Sequence, residues 1–388
     1  MALAAHSDDL LASYGDREDA MRTYLEAGAA RAATLGNRGP VRYGPDGRLA
    51  GDILEAYWRT GFYVFTGVVQ PAELQELEAD LNAMWARLPV TEGADTDASG
   101  KPALTAENEA PTLFWSAPLA DPFGGTDLAN GRHPARMFEP RPASGAPAKS
   151  VYLILGILQF SEACLRLYGH PDLLRIAAAV NGDDFTPFNE ALFVKQPGIG
   201  ASVAWHQDGV THWDSPDLDP GTHGFNFQVQ LYGSTAANAL WVVPGSHRHG
   251  KLDIKAMVER AGSDRLPDAV PVLCAPGDVS ICNRQTVHGS FANASPDARV
   301  SLNLGFHRRR SVLGIEAGGV HNEVAVYDDA RIRERTRVLG YAINARRAHY
   351  PHEATVNYAP LADTLNEYPW NDHARSDLRD YNTLDLSI

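Results

Sequence analysis

The texture of the chain changes at Gly182, and that change limits the folds open to it. Before this point apolar residues recur at helical spacing. Leu74, Leu77, Leu81, Met84, Trp85 and Leu88 follow Pro71, which stands in the first turn of the helix they predict. A second helix opens near Pro171, carries Leu173, Leu174, Ile176, Ala177 and Val180, and stops at Gly182. Beyond Gly182 the apolar runs become short and are cut by Gly, Pro, Asn and Asp. Strands are predicted over 191–195, 225–232, 240–243, 270–274, 278–283 and 299–306. Many short strands with turns between them predict a β-barrel or jelly roll, with the earlier helices flanking it.

The remaining segments divide around that core. Residues 1–50 read as an N-terminal helical extension. The stretch 52–60 predicts a short helix, and Phe62-Tyr63-Val64-Phe65 a strand. Residues 92–148 are rich in Gly, Pro, Ala and Asp, and a connection this long is usually a lid or an insertion. Phe114, Trp115, Phe123 and Phe138 favour an ordered covering loop. The expected organisation is one catalytic unit over 1–388: flanking helices and lid over 51–182, a β-core with the site over 183–310, and a mixed, polar C-terminal extension over 311–388.

Composition narrows the function classes. Lys and Arg number 34 against 48 Asp and Glu, a formal charge of −14, which argues against a nucleic-acid binder or a membrane-surface protein. The three cysteines, Cys164, Cys274 and Cys282, are too few and too scattered for a disulfide framework or a thiolate metal site, and suit a reducing cytoplasm. The N-terminus meets two acids before any run apolar enough for a signal peptide, and the most apolar stretch, 151–160, is too short to span a bilayer. A cytoplasmic protein handling a small molecule is expected. Nothing predicts an oligomeric state.

The chemistry is concentrated in two passages. In Trp205-His206-Gln207-Asp208 an extended backbone points residues two apart the same way, so His206 and Asp208 can converge on one ion. The second passage runs from the turn Pro276-Gly277-Asp278 to Val287-His288-Gly289-Ser290, and a jelly roll can return His288 to the same end of the barrel. Two imidazoles and one carboxylate form the facial triad of non-haem Fe(II) oxygenases. Arg299, opening an apolar strand, can turn its planar fork inward to hold a carboxylate.

With these passages in order, the sequence resembles the phytanoyl-CoA dioxygenase family of Fe(II)- and 2-oxoglutarate-dependent oxygenases. The resemblance covers roughly residues 50 to 310. It includes Tyr57-Trp58-Arg59-Thr60-Gly61-Phe62-Tyr63-Val64-Phe65, Lys195-Gln196-Pro197-Gly198, the two metal passages, Asn238-Ala239-Leu240, Val243-Pro244-Gly245-Ser246-His247 and Arg299. It implies a double-stranded β-helix core, jelly-roll and cupin-like. It implies that His206, Asp208 and His288 bind the iron, that Arg299 and Ser290 hold the distal carboxylate of 2-oxoglutarate, and that Lys195 lies near this cosubstrate. Gln228 stands where the family often has Trp, and is a candidate contact for cosubstrate or substrate. The implied reaction uses Fe(II), 2-oxoglutarate and O2, yields succinate and CO2, and oxidises a C–H bond of a small metabolite. The carboxylate at Asp208, in place of the small residue that admits chloride in related halogenases, favours hydroxylation, or a desaturating or ring-forming variant.

Blander readings stand beside these. A lone His-x-Asp is commonly a surface pair, so the metal reading depends on His288, Arg299 and the surrounding pattern. His247 and His249 follow a turn and read as loop residues. His212 and Trp213, just past the metal motif, are as readily a packed loop pair as part of a substrate pocket. Arg308-Arg309-Arg310 reads as a solvated strand end forming surface ion pairs. Cys274 and Cys282 read as small core residues. Two rival functions remain: a non-catalytic jelly-roll protein with a structural metal, and a zinc hydrolase on the same ligands.

Overall fold

A computed structural model describes residues 12–209, 223–317 and 324–382, together with Leu3, Trp213 and Leu218. Twelve strands form two sheets among these residues. In chain order they are β1 (Arg38–Gly39), β2 (Phe62–Phe65), β3 (Leu113–Ser116), β4 (Ser150–Leu155), β5 (Thr186–Lys195), β6 (Val203–His206), β7 (Gly224–Gln230), β8 (Trp241–Val242), β9 (Val270–Pro271), β10 (Val279–Asn283), β11 (His288–Ser290) and β12 (Arg299–His307). The larger sheet has the order β1-β2-β10-β7-β12-β5-β4-β3, and the smaller one β6-β11-β8-β9. All pairs are antiparallel except β1 with β2. This is the mainly β, jelly-roll core expected, with helices packed outside it.

The central strands alternate strictly, and the alternation explains how one sheet serves both a core and a site. Along β7, Phe225, Phe227 and Val229 enter the main hydrophobic cluster, while Asn226 and Gln228 line a cavity. Along β12, Val300, Leu302, Leu304 and Phe306 enter that cluster, while Arg299 and Asn303 face the cavity. On β5 the cavity side carries Asn189, Ala191 and Phe193. A pleated strand sends neighbours to opposite faces, so one face is dry and the other is polar.

Helices pack outside both sheets. They are α1 (Glu18–Ala33), α2 (Gly51–Thr60), α3 (Pro71–Trp85), α4 (Glu162–Tyr168), α5 (Pro171–Asn181), α6 (Ile254–Ala261), the short α7 (Arg309–Val312), α8 (Asp329–His349) and α9 (Asp372–Asp377); α2 to α5 and α8 cover the dry face, whereas α1 and α6 pack on the smaller sheet. Pro71 stands at the start of α3 as expected. Gly61 ends α2 in the left-handed region at φ 84°. Leu77, Leu81, Met84 and Trp85 of α3 and Leu173, Leu174, Ile176, Ala177 and Val180 of α5 join one cluster that runs from Leu3 to Tyr381. No helix among the described residues is long and apolar enough to cross a membrane.

Two regions differ from the expected plan. The larger sheet draws four strands, β1 to β4, from before residue 183, so the β-core is not confined to 183–310. β2 is the strand expected over 62–65, whereas β1, β3 and β4 carry little periodicity of their own and become strands by pairing with β2, with each other and with β5. The C-terminal extension is dominated by α8, whose start is capped by Asp328 accepting from the Arg331 amide at 2.8 Å. Arg346 of α8 reaches Glu73 on α3 at 2.7 Å and Glu353 at 2.6 Å. Arg335, buried in the same helix, pairs with Glu190 on β5 at 3.2 Å. The extension is thus held against the back of the barrel. Arg309 of the triple-arginine run pairs with Asp329, as a strand-end charge would.

Candidate active site

The smaller sheet assembles the candidate metal site. β6 and β11 pair so that His206 and His288 are direct partners, which brings together two residues far apart in the chain. Their rings lie 4.1 Å apart between centroids. Each Nδ1 is 2.8 Å from a backbone carbonyl, of Ala204 for His206 and of Thr286 for His288. A carbonyl can only accept, so both Nδ1 atoms carry the proton and both Nε2 atoms present a lone pair. Those lone pairs meet Asp208: His206 Nε2 is 3.5 Å from Oδ1, and His288 Nε2 is 3.9 Å from Oδ2. One candidate ligand atom from each of the three residues lies within 4.8 Å of the others, and all three residues are buried.

Strand alternation alone does not explain Asp208, because β6 ends at His206. Asp208 is held by its own hydrogen bonds. Its amide donates to the Arg284 carbonyl at 2.8 Å, and its Oδ2 accepts from Asn226 Nδ2 at 2.8 Å. Gln207 faces the other way and anchors the turn, donating to the carbonyls of Gly250 and Gln285 and accepting from the Leu252 amide. Burial pushes the Asp208 carboxyl up, but the charge of Arg284, then of His288 and His206, outweighs burial and holds it well below the usual carboxylate range. Burial pushes His288 down to about 4, which keeps a ligand imidazole neutral. Two imidazoles and one carboxylate suit a divalent first-row ion with positions left open.

A cavity between the two sheets opens onto this triad. Arg299 and Ser290 stand in its wall, both buried. The guanidinium of Arg299 is oriented by donating to the Asn238 carbonyl at 3.0 Å and to Ser301 Oγ at 3.3 Å, while its buried Nε has no partner among the described residues. Burial pushes Arg299 down to about 10, so it stays charged at neutral pH. A preoriented cation with an unused donor fits the carboxylate of a small dianion. Gln228 lines the same wall, paired across to Asn303 on β12, and its buried Oε1 also lacks a partner among the described residues.

A sequence profile for phytanoyl-CoA dioxygenase (PhyH) matches residues 57–301. The chain belongs to the phytanoyl-CoA dioxygenase family. Members of this family use Fe(II), 2-oxoglutarate and O2 and act on small molecules, and the two histidines, the aspartate and the cavity arginine all fall within the matched stretch. Phytanoyl-CoA dioxygenase 1 of Oryza sativa subsp. japonica is 33% identical over 121 residues, which is 28% of this chain and 40% of the rice protein. The match therefore spans well under half of that relative. Ectoine dioxygenase of Halomonas elongata is 25% identical over 300 residues, covering 71% of this chain and 75% of that protein. Among solved structures, EctD from S. alaskensis with 2-oxoglutarate and 5-hydroxyectoine superposes with a TM-score of 0.48 at 20% identity, over 69% of this chain and 79% of that one.

Against the family pattern, most of the expected site residues converge. His206, Asp208, His288, Arg299, Ser290 and Gln228 all line the one cavity. Lys195 does not. It pairs with Arg299 across β5 and β12, but its ammonium donates to the carbonyls of Ala201 and Phe291, both at 2.6 Å, and braces the loops instead of facing the cosubstrate. Burial, with Arg299 next to it, pushes the Lys195 amine well below its usual value. Trp213 is half-buried and is not among the residues lining the cavity, and His212 lies outside the described residues. His247 packs against α2, with Nε2 3.0 Å from the Trp58 carbonyl, as a loop histidine. Cys274 and Cys282 are buried, and Cys282 also touches the cavity.

Among the cavity residues that escaped sequence reasoning, Asn226, Arg284, Arg132 and His133 stand nearest the metal ligands in the contacts they make. Asn226 was legible, since Phe-Asn-Phe-Gln-Val-Gln alternates as cleanly as any stretch in the chain. Arg284 sits in the turn between β10 and β11, with its guanidinium 4.6 Å over the Phe188 ring. Arg132 and His133 come from the covering loop, where no periodicity announces them. His133 lies against His206, the rings tilted by 38° with centroids 4.2 Å apart, and its Nδ1 is 3.3 Å from the Ala204 carbonyl that also holds His206. The segment 92–148 thus lines the site, and besides Arg132 and His133 it contributes Phe114 of β3 and Phe123 to the cavity wall.

Proposed function

We propose that this protein is an Fe(II)- and 2-oxoglutarate-dependent oxygenase that hydroxylates a C–H bond of a small metabolite. The observation that carries this reading is the pair of histidines whose Nδ1 protons are tied to carbonyls, so that both Nε2 lone pairs face the Asp208 carboxylate beside Arg299. His206, Asp208 and His288 hold the metal. Arg299 and Ser290 hold the distal carboxylate of 2-oxoglutarate, with Gln228 beside them. When bound, Fe(II) and 2-oxoglutarate supply the oxidising power to attack an unactivated C–H bond with O2, while 2-oxoglutarate is converted to succinate and CO2.

The chain's own residues supply geometry and dryness. The carbonyls of Ala204 and Thr286 fix both imidazole tautomers before a metal arrives. Asn226 orients the carboxylate from the side. Phe114, Phe123, Tyr152 and Phe193 form an aromatic wall that keeps water from the reacting centre.

The test is succinate formation by the full chain with Fe(II), ascorbate, 2-oxoglutarate and O2. Succinate is expected even without the substrate, and it is expected to vanish in His206→Ala. Arg299→Gln should raise the KM for 2-oxoglutarate by about a hundredfold, the effect of removing a charge-assisted, bidentate contact. Metal binding without succinate would favour the binding-protein alternative, and turnover independent of O2 would favour a zinc hydrolase. Once a substrate is found, gain of one oxygen atom supports hydroxylation, whereas loss of two hydrogens assigns desaturation or cyclisation.

A further inference from the structure

The metal site is braced from outside the two sheets by a loop. Residues 117–141 lead away from the end of β3 towards β4, and their start is tied to the chain that enters β6. The Leu119 amide donates to the Ile199 carbonyl at 3.0 Å, and the Ser202 amide donates to the Ala120 carbonyl at 3.0 Å. The returning half is tied to the same strand. The Phe138 amide donates to Asp264 Oδ2 at 2.8 Å, and the Asp264 carbonyl accepts from Trp205 Nε1 at 2.6 Å. Trp205 precedes His206 on β6, so the loop is docked on the strand that presents a metal ligand.

Asp121 clasps this loop. It is 5% exposed, and its carboxylate accepts from three amides: Oδ1 from Gly124 at 2.9 Å and Phe123 at 3.4 Å, and Oδ2 from Met137 at 2.9 Å. The first two bonds close a local turn, whereas the third joins residues 16 apart and shuts the loop across its neck. Inside the neck the Gly125 amide donates to the His133 carbonyl at 2.8 Å. Only glycine fits at 124, where a Cβ would stand 2.9 Å from the Arg136 Cα and closer still to the Asp121 carboxylate. Between the two ends the chain passes through three successive left-handed residues, Ala129 at φ 51°, Asn130 at 56° and Gly131 at 67°. Two of them carry a Cβ, and such a backbone persists where its surroundings hold it. Burial pushes the Asp121 carboxyl up, and the amides of Met137, Gly124 and Phe123 pull against that. A buried carboxylate that accepts from both ends of one loop holds that loop.

What the clasp delivers is His133. Its ring lies between Phe123, stacked with centroids 5.4 Å apart, and His206, at 4.2 Å with a tilt of 38°. His133 Nδ1 is 3.3 Å from the Ala204 carbonyl, which also accepts from His206 Nδ1 at 2.8 Å, and a carbonyl oxygen has lone pairs for both. His133 Nε2 accepts from Arg132 Nε at 3.4 Å, so both ring nitrogens are engaged and the ring cannot turn without breaking a bond. We propose that Asp121 is a positioning residue of the metal site: by clasping the loop it seats His133 against His206 and fixes the plane in which that imidazole faces the ion. This inference rests on the metal triad of the oxygenase reading and adds two residues behind it. Groups that touch a ligand from outside orient it and set metal affinity.

The experiment titrates the full chain with Co(II) in place of iron, because its visible bands report ligand geometry as well as occupancy, and follows amide hydrogen exchange over 117–141. Asp121→Asn keeps an acceptor for the local turn but sets an NH2 group against the Met137 amide, so it opens the neck alone. It should raise the Kd for Co(II) about tenfold, shift the visible bands and speed exchange in the loop. Gly124→Ala, which displaces the same carboxylate from the other side, should do the same. His133→Ala should match the loss of Co(II) affinity. The Asp121→Asn, His133→Ala double variant should lose no more than about twofold beyond the larger single effect, because both act through one contact. If Asp121→Asn does not fold, Gly124→Ala takes its place in the cycle. Glu353→Gln, which loosens Arg346 at the back of the barrel, controls for a general loss of stability and should leave the Kd within about twofold. A Co(II) Kd within about twofold of wild type in Asp121→Asn overturns the proposal. So do single losses that multiply in the double variant, which would give Asp121 a structural role separate from His133. Failure of the metal reading looks different: the wild type would not bind Co(II), or His206→Ala would bind it equally well.

Discussion

A single methyl group at Gly289 should pull the metal site apart. Gly289 lies between His288 and Ser290 on β11, against β6, which carries His206. A Cβ there would stand 3.0 Å from the Val203 carbonyl oxygen, 3.1 Å from the Trp205 amide nitrogen and 3.2 Å from the Trp205 Cα. All three are backbone atoms of β6, so no side-chain rotation relieves the contact. The strands must separate by a few tenths of an ångström to reach ordinary van der Waals distance. Overpacking of this kind costs about 1–3 kcal/mol. The functional loss should be larger, because His206 and His288 depart from this pair of strands and metal–ligand distances tolerate only about 0.2 Å. Gly289→Ala is therefore expected to lower Fe(II) affinity by about tenfold to a hundredfold, the range seen when ligand orientation is disturbed. Anaerobic metal titration reads the affinity, and urea denaturation of the metal-free protein reads the stability. Unchanged values in both would refute the reasoning, since β11 would then have room that the geometry denies it.

Two further perturbations separate structural from functional roles. Lys195→Met removes the donor from two buried carbonyls, so it should destabilise the fold by about 1–3 kcal/mol in urea, yet alter the Kd of 2-oxoglutarate less than threefold; a large rise in that Kd would return Lys195 to the cosubstrate site. His170 caps α5 by accepting from the Asp172 amide at 3.2 Å, and burial, with Arg346 adding to it, pushes its imidazole from 6.5 down to about 3. Because the folded value lies below the unfolded one, the unfolded chain takes up the proton first, and stability contributed above pH 6.5 is lost as pH falls toward 3. Wild type should lose about 2 kcal/mol from this group by pH 5, and His170→Asn, a capping residue that does not titrate, should flatten that part of the profile; parallel profiles for the two proteins would contradict the assignment.

Much of the fold was legible because its signals are local. The helical stripe of α3, the Pro and Gly that bound α5, and all seven predicted strands are found, although those over 240–243 and 270–274 each shorten to two residues. These features depend on neighbours a few positions away, which the sequence displays directly. The strands β3 and β4 at one end of the larger sheet and the helix α8 were not placed. β3 and β4 gain their hydrogen bonds only by pairing with each other and with β5, and α8 mixes its apolar residues with arginines that bury ion pairs with Glu190 and Glu73. A buried charge looks like a surface charge until its partner is known.

The site divides along the same line. The sequence by itself determined the donor set, since His206, Asp208, His288 and Arg299 announce their chemistry by residue type, order and the strand-and-turn setting of each. Only the tertiary structure decided the direct pairing of His206 with His288, the hydrogen bonds that hold Asp208 beyond the end of its strand, the engagement of Lys195 by two carbonyls, and the arrival of Arg132 and His133 from the covering loop. The reason is physical. Residue type and local periodicity set what a side chain can do, whereas what it meets depends on long-range strand pairing and loop closure, which no window of neighbouring residues contains.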